Sequence, residues 1–277
     1  MMIMKKFLVI IPVAILTAVV WSLGLWKKNA DDTPTADLFQ ISKTNKIYCT
    51  LDTNISLRPN SLFEKKATTV VSLIVNRHFK RMQFDDTVSA NIFDNFIEEI
   101  DENKLYLLQS DIDEFKKYRL SLDDELRQEK NNLNTAYYIY NIYLKRVYER
   151  LERNKLLLKE KYDFTTDEYY ETDRKKIGYP KTQEDADKEW RKLFKNSFLE
   201  AKMIGETPET TVSKLEKRYE TFKKNLTKTT VEDVFQTYMN ALAMAYDPHT
   251  NYFSPVAASN FNMSMNRSLE GIGATLA

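Results

Sequence analysis

From Ser61 to Tyr246 the apolar residues recur at helical spacing, and that pattern limits the fold more than any other feature of the chain. Five glycines and seven prolines in 277 residues leave little material for a loop-rich β fold. The expected class is mainly α: a multi-helix domain preceded by an apolar N-terminal helix and followed by an extended segment. Charged residues make up 29% of the chain and hydrophobic residues 43%, as in ordinary folded proteins.

Start and stop signals divide the helical stretch. Ser61 with Glu64 fits a capping box, ahead of a stripe of Val70, Val71, Ile74, Val75 and Phe79. A second helix, from about Asp86 to Asp101, carries Ile92, Phe93, Phe96, Ile97 and Ile100. Ser110 is placed to cap a short third helix with Ile112 and Phe115. Ser121 and Asp124 open a helical region that runs to about Tyr162, with a break near Asn131-Asn132. Tyr137, Tyr138, Tyr140, Tyr143 and Tyr148 lie along it, which fits a helix packed on two sides or one that lines a groove. Its C-terminal half alternates basic residues with leucine and reads as a solvated face.

Thr165 with Glu168 suggests a further cap before a short charged segment, and Gly178-Tyr179-Pro180 breaks the chain. Thr182 then starts a helix with Ala186, Trp190, Leu193, Phe194, Phe198 and Leu199, closed by Gly205. Thr207 and Pro208 restart the chain toward Leu226. Thr230 with Asp233 caps the last long helix, which passes Phe235, Tyr238, Met239, Leu242 and Met244 to Tyr246.

The N-terminus has a different character. Lys5 and Lys6 precede Phe7–Trp26, twenty residues without a charge. At ~1.5 Å per residue this run just spans a hydrocarbon core of about 30 Å. It reads as an uncleaved signal-anchor or a cleaved signal peptide, and both export the rest of the chain. Lys27 and Lys28 balance Lys5 and Lys6, so charge does not orient the helix. Residues 29–60 read as linker, with a short strand expected at Ile47–Leu51. Beyond residue 28 the chain holds 37 basic and 40 acidic residues, about −3 net, which gives no reason to bind nucleic acid. Cys49 is the single cysteine, so no intrachain disulfide can form.

The chemistry-bearing residues are few. His78 has no second ligand at i+3 or i+4 and reads as a packed or surface histidine. His249 follows Asp247-Pro248; an Asp/His pair can bind metal or act in base catalysis, but no third partner is visible, and the favoured reading is a turn in which Asp247 caps the preceding helix. No glycine-rich phosphate loop occurs, and no cofactor or metal set is expected. Asn54, Asn225, Asn262 and Asn266 head Asn-x-Ser/Thr triplets, a pattern short enough to arise by chance.

Two segments carry a family resemblance. One is Asp247-Pro-His-Thr-Asn-Tyr252 followed by Ser268-Leu-Glu-Gly-Ile-Gly-Ala274. The other runs from Ile92 through Asp101 and Lys104-Leu-Tyr106 to Asp111-Ile112 and Phe115. Together they resemble tail-specific (carboxy-terminal processing) proteases over roughly Ser61 to Ala277.

The resemblance implies a signal or anchor at 1–28, a linker at 29–60, a helical N-terminal domain at 61–254, and the start of an incomplete PDZ domain at 255–277. Its first strand would be the extended segment near the C-terminus. Gly271, Ile272, Gly273 and Ala274 then resemble the loop whose backbone N–H groups hold a peptide carboxylate. The family cuts peptides with a serine nucleophile and a lysine base that lie beyond the PDZ domain. No serine or lysine here inherits either role, and the chain alone is expected to be inactive as a peptidase. Implied partners are protein or peptide substrates taken by their C-termini, an adaptor lipoprotein, and the inner membrane through residues 7–26, with the body in the periplasm. The alternative is a non-catalytic envelope binding or scaffold protein on the same helical domain.

Overall fold

The computed structural model describes residues 56–127 and 133–266. The expected membrane or signal helix at 7–26, the strand at 47–51, the break at 131–132 and the extended segment from Ser268 lie outside those residues. Among the described residues there are nine α-helices, no strand, and no helix long and apolar enough to cross a membrane.

Helix α1 spans Ser61–Arg77. Its cap is Asn60, one residue before the expected Ser61, and the Asn60 side chain accepts from the backbone N–H of Leu62 and Phe63. It buries Phe63, Ala67, Val71 and Ile74; Phe79, expected on this stripe, lies past the helix end and is exposed. Helix α2, Asp86–Ile100, matches the expected span and is capped by Asp85. Helix α3, Gln109–Phe115, is closed by the Asp111 carboxylate, which accepts from the N–H of Leu108 at 2.9 Å; Ser110 is not its cap. Helix α4 covers Leu122–Arg127 and α5 covers Asn134–Leu157.

The Thr165–Glu168 pair starts no helix. Asp163 takes the Thr165 N–H and hydroxyl in a local turn, and Glu168 is drawn off by Lys195. Helices α6, Gln183–Met203, and α7, Pro208–Leu226, follow with the expected caps at Thr182 and Thr207. Gly205 between them has φ +82°, the left-handed conformation that suits glycine. Helix α8, Val231–Tyr246, has the expected capping box of Thr230 and Asp233. Helix α9, Pro255–Asn266, falls where no helix was expected, in the region assigned to the PDZ start.

Helices α2 and α8 form the most extensive pair, and α1, α4 and α5 pack around them. Ala241, Ala243 and Ala245 let α8 come close, and Asn95 of α2 donates to the Ala241 carbonyl at 3.2 Å. The rings of Phe63 and Phe235 lie 5.0 Å apart, and Phe96 meets Tyr238 edge-on at 5.3 Å. A second, smaller core of Leu158, Trp190, Phe194, Phe198 and Leu215 joins the end of α5 to α6 and α7. Tyr106 and Tyr219 touch both cores.

Helix α5 thus packs on two sides. Its C-terminal half is not the solvated face expected from its charge pattern, because Arg150, Leu151 and Asn154 are buried there.

One carboxylate in the larger core is poorly served. Glu125 accepts from Thr135 at 2.8 Å through one oxygen, while the other is buried without a partner. Burial raises its pKa, with Thr135 opposing. The protonated form therefore favours folding: that contribution is full below the unfolded value near 4.5 and is lost as pH rises through the folded value. Glu125→Gln is expected to gain about 1 kcal/mol at neutral pH and almost nothing at about pH 4. Denaturant melts at the two pH values check this, and an equal gain at both would refute it.

Candidate functional site

Gly271, Ile272, Gly273 and Ala274 lie outside the described residues. The described residues hold a different concave feature, a cleft of about 640 Å³ between α6 and the chain at 168–180.

The cleft is built from the turn after α2. The Asp101 carboxylate accepts three backbone N–H groups, from Leu105, Tyr106 and Leu107, at 2.9 to 3.1 Å. Burial pushes this carboxyl up, against the lowering effect of those three bonds. Lys104 takes the left-handed conformation there, φ 51°. The turn then presents groups outward. The Asn103 carbonyl accepts from Arg174 Nε at 3.2 Å, and Lys104 Nζ donates to the carbonyls of Lys175 and Ile177 at 3.1 and 2.8 Å. Gln109 N–H meets the Pro180 carbonyl at 2.8 Å. The Leu105 carbonyl accepts the indole N–H of Trp190 at 2.8 Å, which ties the turn to α6.

Arg174 forms part of the cleft wall while 4% exposed. Its Nη1 donates to Glu189 at 2.6 Å, and its Nη2 is buried with no hydrogen-bond partner. Burial raises the Glu189 carboxyl, but Arg174 and Lys192 together bring it below the usual range. On the far side, Lys195 donates to Glu168 at 2.8 Å and to the Thr166 hydroxyl at 2.9 Å. The Lys195 hydrogen bond holds Glu168 low.

This Lys195–Thr166 contact pairs a hydroxyl with an amine, the ingredients of a hydroxyl nucleophile and its base. Lys195 Nζ donates to the hydroxyl oxygen rather than accepting its proton, and it is shared with the Glu168 carboxylate, so the pair is not arranged as a nucleophile and its base. No group of three or more metal-binding side chains occurs among the described residues. His78 accepts the Lys80 N–H on Nδ1 at 3.1 Å, which leaves Nε2 to donate to Thr250 at 3.0 Å. His249 N–H meets the Asp247 carboxylate at 2.8 Å, within the expected turn.

That turn leads into a chain held along α8. Asn240 accepts from Tyr252 N–H at 2.7 Å and Gln236 from Ser254 N–H at 3.2 Å. The resembling segment at 247–252 is thus a fixed exit from the bundle. Sequence reasoning missed Arg174, Lys195 and the Asp101 turn as builders of a cleft. Of these, Asp101 and Lys104 did stand out in the second resembling segment.

The model of the family described as "Tail specific protease N-terminal domain" matches residues 70–256. A tail-specific protease of Haemophilus influenzae is 40% identical over 218 residues, which cover 78% of this chain and 31% of that protein. The chain therefore spans about a third of the length of that relative. By the match over residues 70–256 and the identity over 78% of its length, the chain belongs to the family of tail-specific protease N-terminal domains.

Proposed function

We propose that this chain supplies the substrate-handling N-terminal part of an exported C-terminal-processing serine peptidase, and that it does not cut peptide bonds alone. The match over residues 70–256 carries the reading. The engagement of Lys195 with Glu168 supports its second half. In this reading residues 7–26 hold the protein at the inner membrane, the helical body lies in the periplasm, and an adaptor lipoprotein docks on it. Substrates are proteins or peptides presented by their C-termini, with Gly271–Ala274 receiving the carboxylate.

Incubating the 277-residue chain with a peptide that has an apolar C-terminus tests the reading. No hydrolysis is expected over hours, and turnover above the buffer rate refutes it. The second reading, a non-catalytic envelope scaffold, draws on the closed α2–α8 core, which needs no further domain to bury its apolar face. A coding frame past Ala277 that specifies a serine peptidase supports the first reading; an unrelated neighbour supports the second.

A further inference from the structure

The cleft between α6 and residues 168–180 has the features of a binding site, and the known family model does not say what it holds. Its volume, about 640 Å³, lies within the range of ligand pockets. The cleft is lined by four acidic and four basic residues, and Asp185 among the acids pairs with Lys188 at 3.5 Å. Glu168 is held by Lys195 and Arg191, Glu189 by Arg174 and Lys192, and Glu171 accepts from the Tyr169 hydroxyl and the Asp173 N–H. Three of its cations, Arg174, Lys188 and Lys192, keep donors that no hydrogen bond or ion pair among the described residues uses. Lys188 and Lys192 make long pairs of 3.5 and 3.4 Å, and Arg174 Nη2 has no acceptor. A guanidinium edge without an acceptor beside loosely paired ammonium groups suits a carboxylate.

The opposite wall is main chain. Residues 167–171 belong to no helix or strand, and their backbone N–H and C=O groups have no backbone partner among the described residues. A peptide lying alongside can pair with such a wall.

We propose that this cleft binds an extended peptide segment bearing a carboxylate. Its main chain runs beside Glu168–Tyr170, and its carboxylate is drawn to Arg174, Lys188 and Lys192. The proposal rests on the substrate-handling reading above and gives that reading a contact point in addition to the one proposed at Gly271–Ala274.

Gly178 lines the cleft, and a Cβ built on it meets nothing within 4 Å. Gly178→Trp should therefore fill the cleft without disturbing the core. The probes are three peptides of alternating Thr and Val with a neutral dansyl label on the N-terminus: one with a free C-terminal carboxylate, one amidated, and one amidated with an internal Glu. Fluorescence anisotropy is followed with the full chain. Saturable binding of at least one carboxylate peptide is expected below about 1 mM, with the charge-free peptide about tenfold weaker. The free-terminus and internal-Glu peptides show which carboxylate the cleft takes. Gly178→Trp should weaken binding by about tenfold at an unchanged melting temperature. Should that variant fail to fold, Lys188→Glu decides, because Lys188 is mostly exposed and its reversal should also weaken binding. No saturable binding, equal binding of the charge-free peptide, or affinity untouched by the folded variant overturns the proposal. These results leave the hydrolysis test above unaffected, so the two readings fail separately.

Discussion

Asp187→Ala is expected to destabilise the protein by about 3 kcal/mol, seen as a lower denaturation midpoint with an unchanged m-value. Arg150 of α5 is 4% exposed and donates to Asp187 of α6 at 2.6 Å, while Arg153 shares the same carboxylate at 3.1 Å. Burial lowers the Arg150 pKa and Asp187 opposes that effect. Removing Asp187 leaves a guanidinium charge in the wall of the smaller core. Losing one partner of a buried pair costs roughly 3–5 kcal/mol. The lower end applies because Asp187 is itself 41% exposed and the Trp190 ring still lies 5.7 Å from the guanidinium. The double change Arg150→Met with Asp187→Leu should recover most of the loss, since both charges then leave together. A loss below 1 kcal/mol for the single change would mean that Arg150 reaches water or another acceptor.

That ion pair also shows where sequence reading stops. Arg150 sits in a run where basic residues alternate with leucine, and nothing local separates it from Arg153, which is much more exposed. Its burial is decided by α6, whose Asp187 lies 37 residues away in the chain. The same holds for Glu168: in sequence it completes a capping box with Thr165, and in space it belongs to Lys195. Caps set by adjacent residues were legible, as at Thr207-Pro208, Gly205 and Thr230-Asp233, because each satisfies a backbone group within one turn. The cap of α1 was off by one, since Asn60 and Ser61 are both good N-cap residues and the choice depends on backbone angles. The α2 span was legible from its apolar stripe, and the cleft was not, because its walls come from the α2–α3 turn, the 168–180 segment and α6.

Asp101→Ala is expected to cost at least about 3 kcal/mol, measured by denaturant unfolding at neutral pH. The change removes the acceptor for the N–H groups of Leu105, Tyr106 and Leu107, and each unsatisfied donor costs about 1–3 kcal/mol where water cannot reach it. Leu107 is fully buried; Leu105 and Tyr106 are partly buried, so their donors find water in part. That keeps the expected loss well under the sum of three full penalties. Asp101→Asn retains one acceptor oxygen and should lose less than the alanine. The effect should reach the cleft as well. Once the turn loosens, Asn103 and Lys104 no longer fix Arg174, Lys175 and Ile177, and Trp190 loses the Leu105 carbonyl. In Asp101→Asn, proteolysis or hydrogen exchange at residues 168–180 should therefore accelerate more than at α2 and α8, because the turn gives their core one fully buried side chain, Leu107, while many others hold the two helices together. Equal acceleration throughout would make Asp101 a keystone of the whole bundle; no acceleration at 168–180 would show that the cleft holds its shape without the turn.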